Sequence, residues 1–232
     1  LLGGSDPAEQ AFYAKHLISA SIRAAPAALL VAKLILPERE ASDTMGLVKT
    51  TVEREHTNLI EAAAGGAGEG LKLALNVGAM LLAFLALIAL INGPLTWLGS
   101  VSGLEALVGQ PIDLALILGW IFAPVAFLVG VPLDEAVTVG GLIGQKIVAN
   151  EFVAYVALTD IQSQLSERSV LIATYALCGF ANFSSIAIQL GGIGGIAPSR
   201  RADLAQLGLK AILGGTIVSL LNAAWAGLLV WH

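Results

Sequence analysis

Residues 132–158 read PLDEAVTVGGLIGQKIVANEFVAYVAL. The run is long and apolar enough for a membrane span, yet Gln145, Lys146, Asn150 and Glu151 sit at its centre, after Gly140, Gly141 and Gly144. One helix crossing lipid would place those groups in hydrocarbon, where a single carboxylate costs about 2.5–3.5 kcal/mol on insertion scales. Two half-helices meeting at a polar turn avoid that cost when the turn lies in protein or in a water-filled cavity. The stretch reads as a re-entrant hairpin over 132–160, turning between Lys146 and Glu151.

The rest of the chain supports a membrane setting. It is 56% hydrophobic and 12% charged, with a mean hydropathy of +0.82; soluble domains carry about 25% charged residues. Runs 73–104, 114–133, 169–199 and 211–231 hold no Asp, Glu, Lys or Arg. Each approaches or exceeds the ~20 residues that cross a bilayer core. The expected class is an all-α multipass membrane protein with transmembrane helices, the re-entrant hairpin and an interrupted helix.

Outward from the hairpin, the pattern divides the chain. Residues 1–37 hold the end of a preceding helix and a transmembrane helix that carries Arg23, Pro26 and Lys33. A charged, partly helical loop occupies 38–70, with His56 solvated and its glycine-rich end loosened. A scaffold span fills 71–100, with Asn92-Gly93-Pro94 and Trp97 as a helix end at the interface. Residues 111–130 are short, contain Pro124 and suit an interfacial helix. An interrupted transmembrane helix follows at 169–197, and a final span at 204–231 has a small-residue face of Gly208, Gly214, Gly215 and Ser219.

Lys and Arg set the expected orientation. Arg39, Lys49, Arg54 and Lys72 cluster around the 38–70 loop, and Arg200 and Arg201 lie in 198–204, so both loops are placed in the cytoplasm. Segment 99–113 has no basic residue. The alternation closes only if 132–158 enters and leaves on one side and 113–129 lies at the interface, which independently supports the hairpin and leaves His232 outside.

Glu151 carries the strongest chemical signal. A carboxylate at membrane depth marks a pathway or a ligand site unless it is paired structurally, and Lys146 across the turn is the structural alternative. Asn182, Ser184 and Ser185 interrupt another apolar run, ALCGFANFSSIAIQLGGIGG at 176–195. Serines can merely bond back to their own helix. With Gly179 and the pairs Gly191-Gly192 and Gly194-Gly195 nearby, the alternative is a broken helix whose polar middle binds a small polar ligand. Phe180 is either packed against apolar neighbours or a wall for a planar ligand group.

Enzyme readings find no support. No His lies inside an apolar run to serve a membrane Ser hydrolase, and the Asp residues sit near segment ends rather than paired at depth. No phosphate-binding loop is present. One Cys excludes an internal disulfide framework, Cys178 reads as a packing residue, and no Cys/His cluster has metal-ligand spacing. What remains is a transporter driven by an ion gradient, without a covalent cofactor or nucleic-acid partner.

Three stretches carry a resemblance: GQKIVANEFVAY at 144–155, the 176–211 segment beginning ALCGFANFSSIAIQLGGIGG, and LALNVGAMLLAFLALIALING at 73–93. They resemble the carboxy-terminal half of the concentrative nucleoside transporter family. The resemblance implies a homotrimer in the cell inner (plasma) membrane, sodium-coupled nucleoside uptake (the proton being the alternative ion) and an elevator-like movement within an inverted-repeat fold. It implies that Glu151, Asn182 and Ser185 hydrogen-bond the ribose and that Phe180 packs beside the base. The family's first hairpin, with its base-reading motif, has no counterpart here. The chain is therefore expected to hold half a site, with the sodium site upstream. A non-transporting scaffold or gating partner, and a transporter for another small polar solute, are the competing readings.

Overall fold

The computed structural model describes residues 2–39, 57–196 and 198–229. Among these the regular elements are helical. α1 (Pro7–Ile35) starts where sequence rules allow: Asp6 accepts a bond from the Ala8 N–H, and Pro7 needs no donor in the first turn. It runs through Pro26 to Leu36. Residues 2–5 form a turn, and Leu1 lies outside the described residues.

α2 (Leu59–Ser102) corrects two expectations. The loop read over 38–70 ends by Asn58, and its glycine-rich end is helical; residues 40–56, including His56, lie outside the described residues. Asn58 accepts from the Glu61 N–H, and the Glu61 carboxylate reaches back to the N–H and hydroxyl of Thr57. This capping arrangement nucleates a helix that the four glycines of 65–70, at about 1 kcal/mol each, do not stop. Nor does α2 end at Asn92-Gly93-Pro94. Thr96 donates to the Asn92 carbonyl, and the helix stops only at Gly103, which adopts the left-handed conformation at φ 75°. The Asn92 side chain has another role: its Oδ1 accepts from the Leu114 N–H, 2.9 Å away.

After a short α3 (Leu104–Val108), α4 (Leu114–Leu128) is capped by Asp113 and continues through Pro124. It lies against α5 (Ala136–Val148), the first arm of a helical pair. α6 (Glu151–Ile161) is the second arm, and the two arms are joined by Ala149 and Asn150. The glycines of α5 and α4 permit this closeness. A Cβ on Gly140 would lie 2.8 Å from both the Ala123 nitrogen and the Gly119 oxygen, and one on Gly144 would lie 2.4 Å from Leu118 Cβ. The Gly140 contact is backbone on backbone, so it cannot yield by turning a side chain. Gly140→Ala is expected to cost about 1–3 kcal/mol by overpacking, visible as a lower thermal midpoint in detergent. An unchanged midpoint would show that α4 can move away freely.

α7 (Glu167–Leu177) and α8 (Phe183–Ile196) form a helix interrupted at residues 178–182, and α9 (Arg201–Leu229) closes the chain. The glycine pairs of 191–195 lie inside α8; the break falls at Gly179, whose φ of 131° a Cβ would oppose. The core lies between α5, α6, α7 and α9, around Val139, Leu142, Ile143, Leu158, Ile172, Leu177 and Ala223. Buried polar groups tie its layers. Tyr155 donates to the Thr174 carbonyl at 2.7 Å, and Asn222 donates to the Ala20 carbonyl of α1 at 3.2 Å. α9 turns Gly208, Gly215 and Ser219 toward α8 and the break, but Gly214 toward α1.

α1 and the stretch Pro198–Leu229 are long and apolar enough to cross a bilayer. Their outer faces carry exposed Ile22, Leu29, Leu34, Leu213 and Leu228. Continuous apolar exposure on this scale suits lipid or protein cover. Arg23 meets the membrane problem partly by stacking 5.4 Å over the Tyr175 ring, whose hydroxyl lies 2.9 Å from His16 Nδ1.

Candidate functional site

Two helix N-termini converge where the α5–α6 turn meets the break between α7 and α8. Each begins with an asparagine. Asn150 caps α6 by accepting from the Val153 N–H at 3.0 Å. Asn182 precedes α8, and its Oδ1 accepts from the Ser185 N–H at 2.8 Å and from the Ser184 hydroxyl at 2.8 Å. Ser185 Oγ returns the bond by accepting from the Asn182 N–H at 3.2 Å. This is a reciprocal capping box with Ser in the usual Glu position. It explains how an apolar helix can restart after five unwound residues.

Glu151 occupies the first turn of α6. Asn182 Nδ2 donates to its Oε2 at 2.9 Å, which joins the two helix starts. The partial positive charge of both N-termini favours an anion here. An ionised carboxylate offers about four acceptor positions. Asn182 and the Glu151 N–H engage it from the protein side, and Glu151 stays only half-buried. Acceptor capacity thus remains for a hydroxyl donor.

The other sequence-predicted residues divide. Ser184 and Ser185 are buried and bonded to Asn182. Their side chains hold the break open and orient Asn182. Ser185 Oγ also lies within bonding distance of the Phe180 and Asn182 carbonyls, of which its single hydrogen serves one at a time. The Phe180 ring is 73% exposed and touches neither Glu151 nor Asn182 through a hydrogen bond.

Lys146 does not pair with Glu151 as the structural alternative required. The ion pairs seen include Lys33–Glu38 and Arg200–Asp203, but none joins Lys146 to Glu151. Lys146, 1% exposed, donates instead to the Ala176 carbonyl at 2.9 Å and to Ser219 Oγ at 2.8 Å. Ser219 in turn lies 3.0 Å from the Cys178 carbonyl. A cation therefore sits at the C-terminal ends of α5 and α7, where the helix dipole favours it, and an anion sits at the N-terminal ends of α6 and α8. Sequence reading missed this use of Ser219. Its only signal was the small-residue face of the last helix.

A family model described as "Na+ dependent nucleoside transporter C-terminus" matches residues 16–227. The uncharacterised transporter YutK of Bacillus subtilis is 52% identical over 220 residues, covering 93% of this chain and 52% of that protein. The nucleoside permease NupC of Helicobacter pylori is 44% identical, with 93% and 51% covered. The mouse sodium/nucleoside cotransporter 1 is 42% identical over 233 residues, with 93% and 35% covered. Among solved structures, CNTnw in an inward-facing substrate-bound state superposes with a TM-score of 0.76 at 46% identity, covering 92% of this chain and 49% of that one. A CNTnw variant in an intermediate state gives 0.81 at 45% identity, with 93% and 52% covered. The chain spans about half the length of these bacterial relatives. Family match, identity and interrupted-helix architecture agree, and the chain belongs to the concentrative, sodium-dependent nucleoside transporter family, whose carboxy-terminal region it represents.

Proposed function

We propose that this chain supplies the ribose-binding half of an ion-coupled nucleoside symporter. The observation that carries the reading is the Glu151–Asn182 bond: two capped helix N-termini meet at a half-buried carboxylate in an otherwise apolar fold. A ribose presents hydroxyl donors, and a carboxylate flanked by an amide suits them. Ser185 belongs to the site by fixing Asn182, and Phe180 offers an exposed face for the base. Sodium is the proposed co-substrate, bound mainly by residues outside this chain. The relatives named as sodium/nucleoside cotransporter and nucleoside permease support the substrate class.

The mechanism is alternating access. The α5–α6 hairpin and the α7–α8 interrupted helix move together, because Lys146, Tyr155 and the Glu151–Asn182 bond tie them. α2 serves as the scaffold, in a homotrimer in the plasma membrane. The hairpin is re-entrant, and the connections between α1 and α2 and between α8 and α9 face the cytoplasm.

The test uses the full-length protein in liposomes. Uridine uptake should rise with an inward sodium gradient. Unlabelled uridine should compete at least tenfold better than uracil, since a site reading ribose loses charge-assisted hydrogen bonds with the bare base. Equal competition would move the substrate class to nucleobases, and no uptake under sodium or proton gradients would favour a non-transporting scaffold.

A further inference from the structure

The junction contains one buried cation and one half-buried anion. Lys146 and Glu151 are the Asp, Glu, Lys or Arg residues between 136 and 159, and 169–199 has none. The two sit five residues apart across the hairpin turn, yet do not form a contact pair. Lys146 donates its hydrogen bonds to the Ala176 carbonyl and Ser219 Oγ and leaves the Glu151 carboxylate to Asn182 and a ligand. A contact pair would have covered the acceptor that the site needs. Held where it is, the ammonium still balances the carboxylate electrostatically, as each group lies within the other's field.

We propose that Lys146 is a built-in counter-charge: it cancels Glu151, so the junction of the empty carrier crosses the membrane field without net charge. The inference rests on the alternating-access reading. If hairpin and interrupted helix move as one unit, the charge they carry at the junction is the sum of these two groups; Asp160, Glu167 and Arg168 lie at the far ends of α6 and α7 and are the same in every variant compared below. With Lys146 the sum is zero, and a bound coupling cation is the added charge that an inside-negative potential drives inward. Without it, the empty junction carries one negative charge and the loaded junction loses one positive charge. Voltage dependence then shifts from the loaded step to the empty return.

The experiment compares the full-length wild type, Lys146→Met, Lys146→Gln and Lys146→Arg in planar or solid-supported membranes. Charge movement after a voltage jump is recorded without sodium or nucleoside. Sodium-dependent nucleoside exchange is measured in parallel. Whatever the other half of the protein moves is common to all four. Lys146→Met and Lys146→Gln should add one negative charge to the empty-carrier signal. Their outward- to inward-facing ratio should shift by up to about 50-fold per 100 mV for a charge crossing the whole field. Lys146→Arg should match wild type. Gln keeps a donor for Ala176 and Ser219, so it separates charge from anchoring. Active neutral variants with an unchanged empty-carrier signal would overturn the proposal. So would failure of both neutral variants to assemble while Arg restores assembly, which would make Lys146 a folding residue. Absence of exchange in the wild type would instead sink the transport reading itself.

Discussion

Glu151→Gln is expected to reduce sodium-driven nucleoside uptake by the full-length protein about 10- to 150-fold while leaving the fold intact. The substitution is nearly isosteric. The new amide oxygen can still accept from Asn182 Nδ2, 2.9 Å from the present carboxylate, so the two helix starts stay joined. What disappears is the negative charge, and one acceptor atom becomes a donor that faces the ligand's hydroxyls. Hydrogen bonds to charged groups contribute about 1.5–3 kcal/mol each, and 1.36 kcal/mol is tenfold, which sets the range. The loss should appear at low substrate, where uptake reports affinity. The thermal midpoint should change little. Wild-type uptake in Glu151→Gln would remove Glu151 from the site and favour a scaffold role, in which the carboxylate only seals a helix junction.

How much of this was legible follows from the range over which each signal acts. The hairpin turn was readable because its polar residues lie close in sequence: Gln145-Lys146 and Asn150-Glu151 interrupt an apolar run within seven residues, and the helices do part at Ala149 and Asn150. The break was readable in kind but not in place. The four glycines of 191–195 downstream of Asn182 and the lone Gly179 upstream look alike to a propensity scale, which prices each at about 1 kcal/mol. The deciding feature is conformational. Gly179 must take φ 131°, and a side chain there would approach Ser219 Oγ at 3.1 Å. The glycines of α5 were noted only as preceding the polar turn, yet they let α4 approach to backbone contact. That distinction needs the neighbouring helix. Lys146 and Ser219 lie 73 residues apart, beyond any periodicity. The residues named for the site came from short motifs and the resemblance those motifs carry, and the bonds joining them became visible only in the fold.

Asn182→Asp separates the two roles of that residue. The aspartate retains two oxygens in the amide's position, so the cap on α8 survives: the Ser185 N–H and the Ser184 hydroxyl still find an acceptor. A carboxylate before a helix N-terminus is, if anything, a better cap. The donor toward Glu151 is lost, and two carboxylates would face each other across a distance now set at 2.9 Å by a hydrogen bond. Like charges in such contact cost several kcal/mol, so the α6 and α8 starts should separate. Uptake is expected to fall at least 100-fold. The partner test is Asn182→Asp combined with Glu151→Gln. In that pair the new glutamine amide can donate to the new aspartate, which restores the bond with its polarity reversed. Thermal stability should return to near the wild-type midpoint, a non-additive result that marks direct coupling. Uptake should not return, because the carboxylate now sits at the buried position 182, where the native side chain is 1% exposed, and the ligand-facing position 151 is neutral. Recovery of uptake with stability would mean that the junction needs only a hydrogen bond and that the placement of the charge is immaterial to the ligand. Stability that remained low in the double variant would show instead that the two helix starts are held together by something other than the Glu151–Asn182 bond.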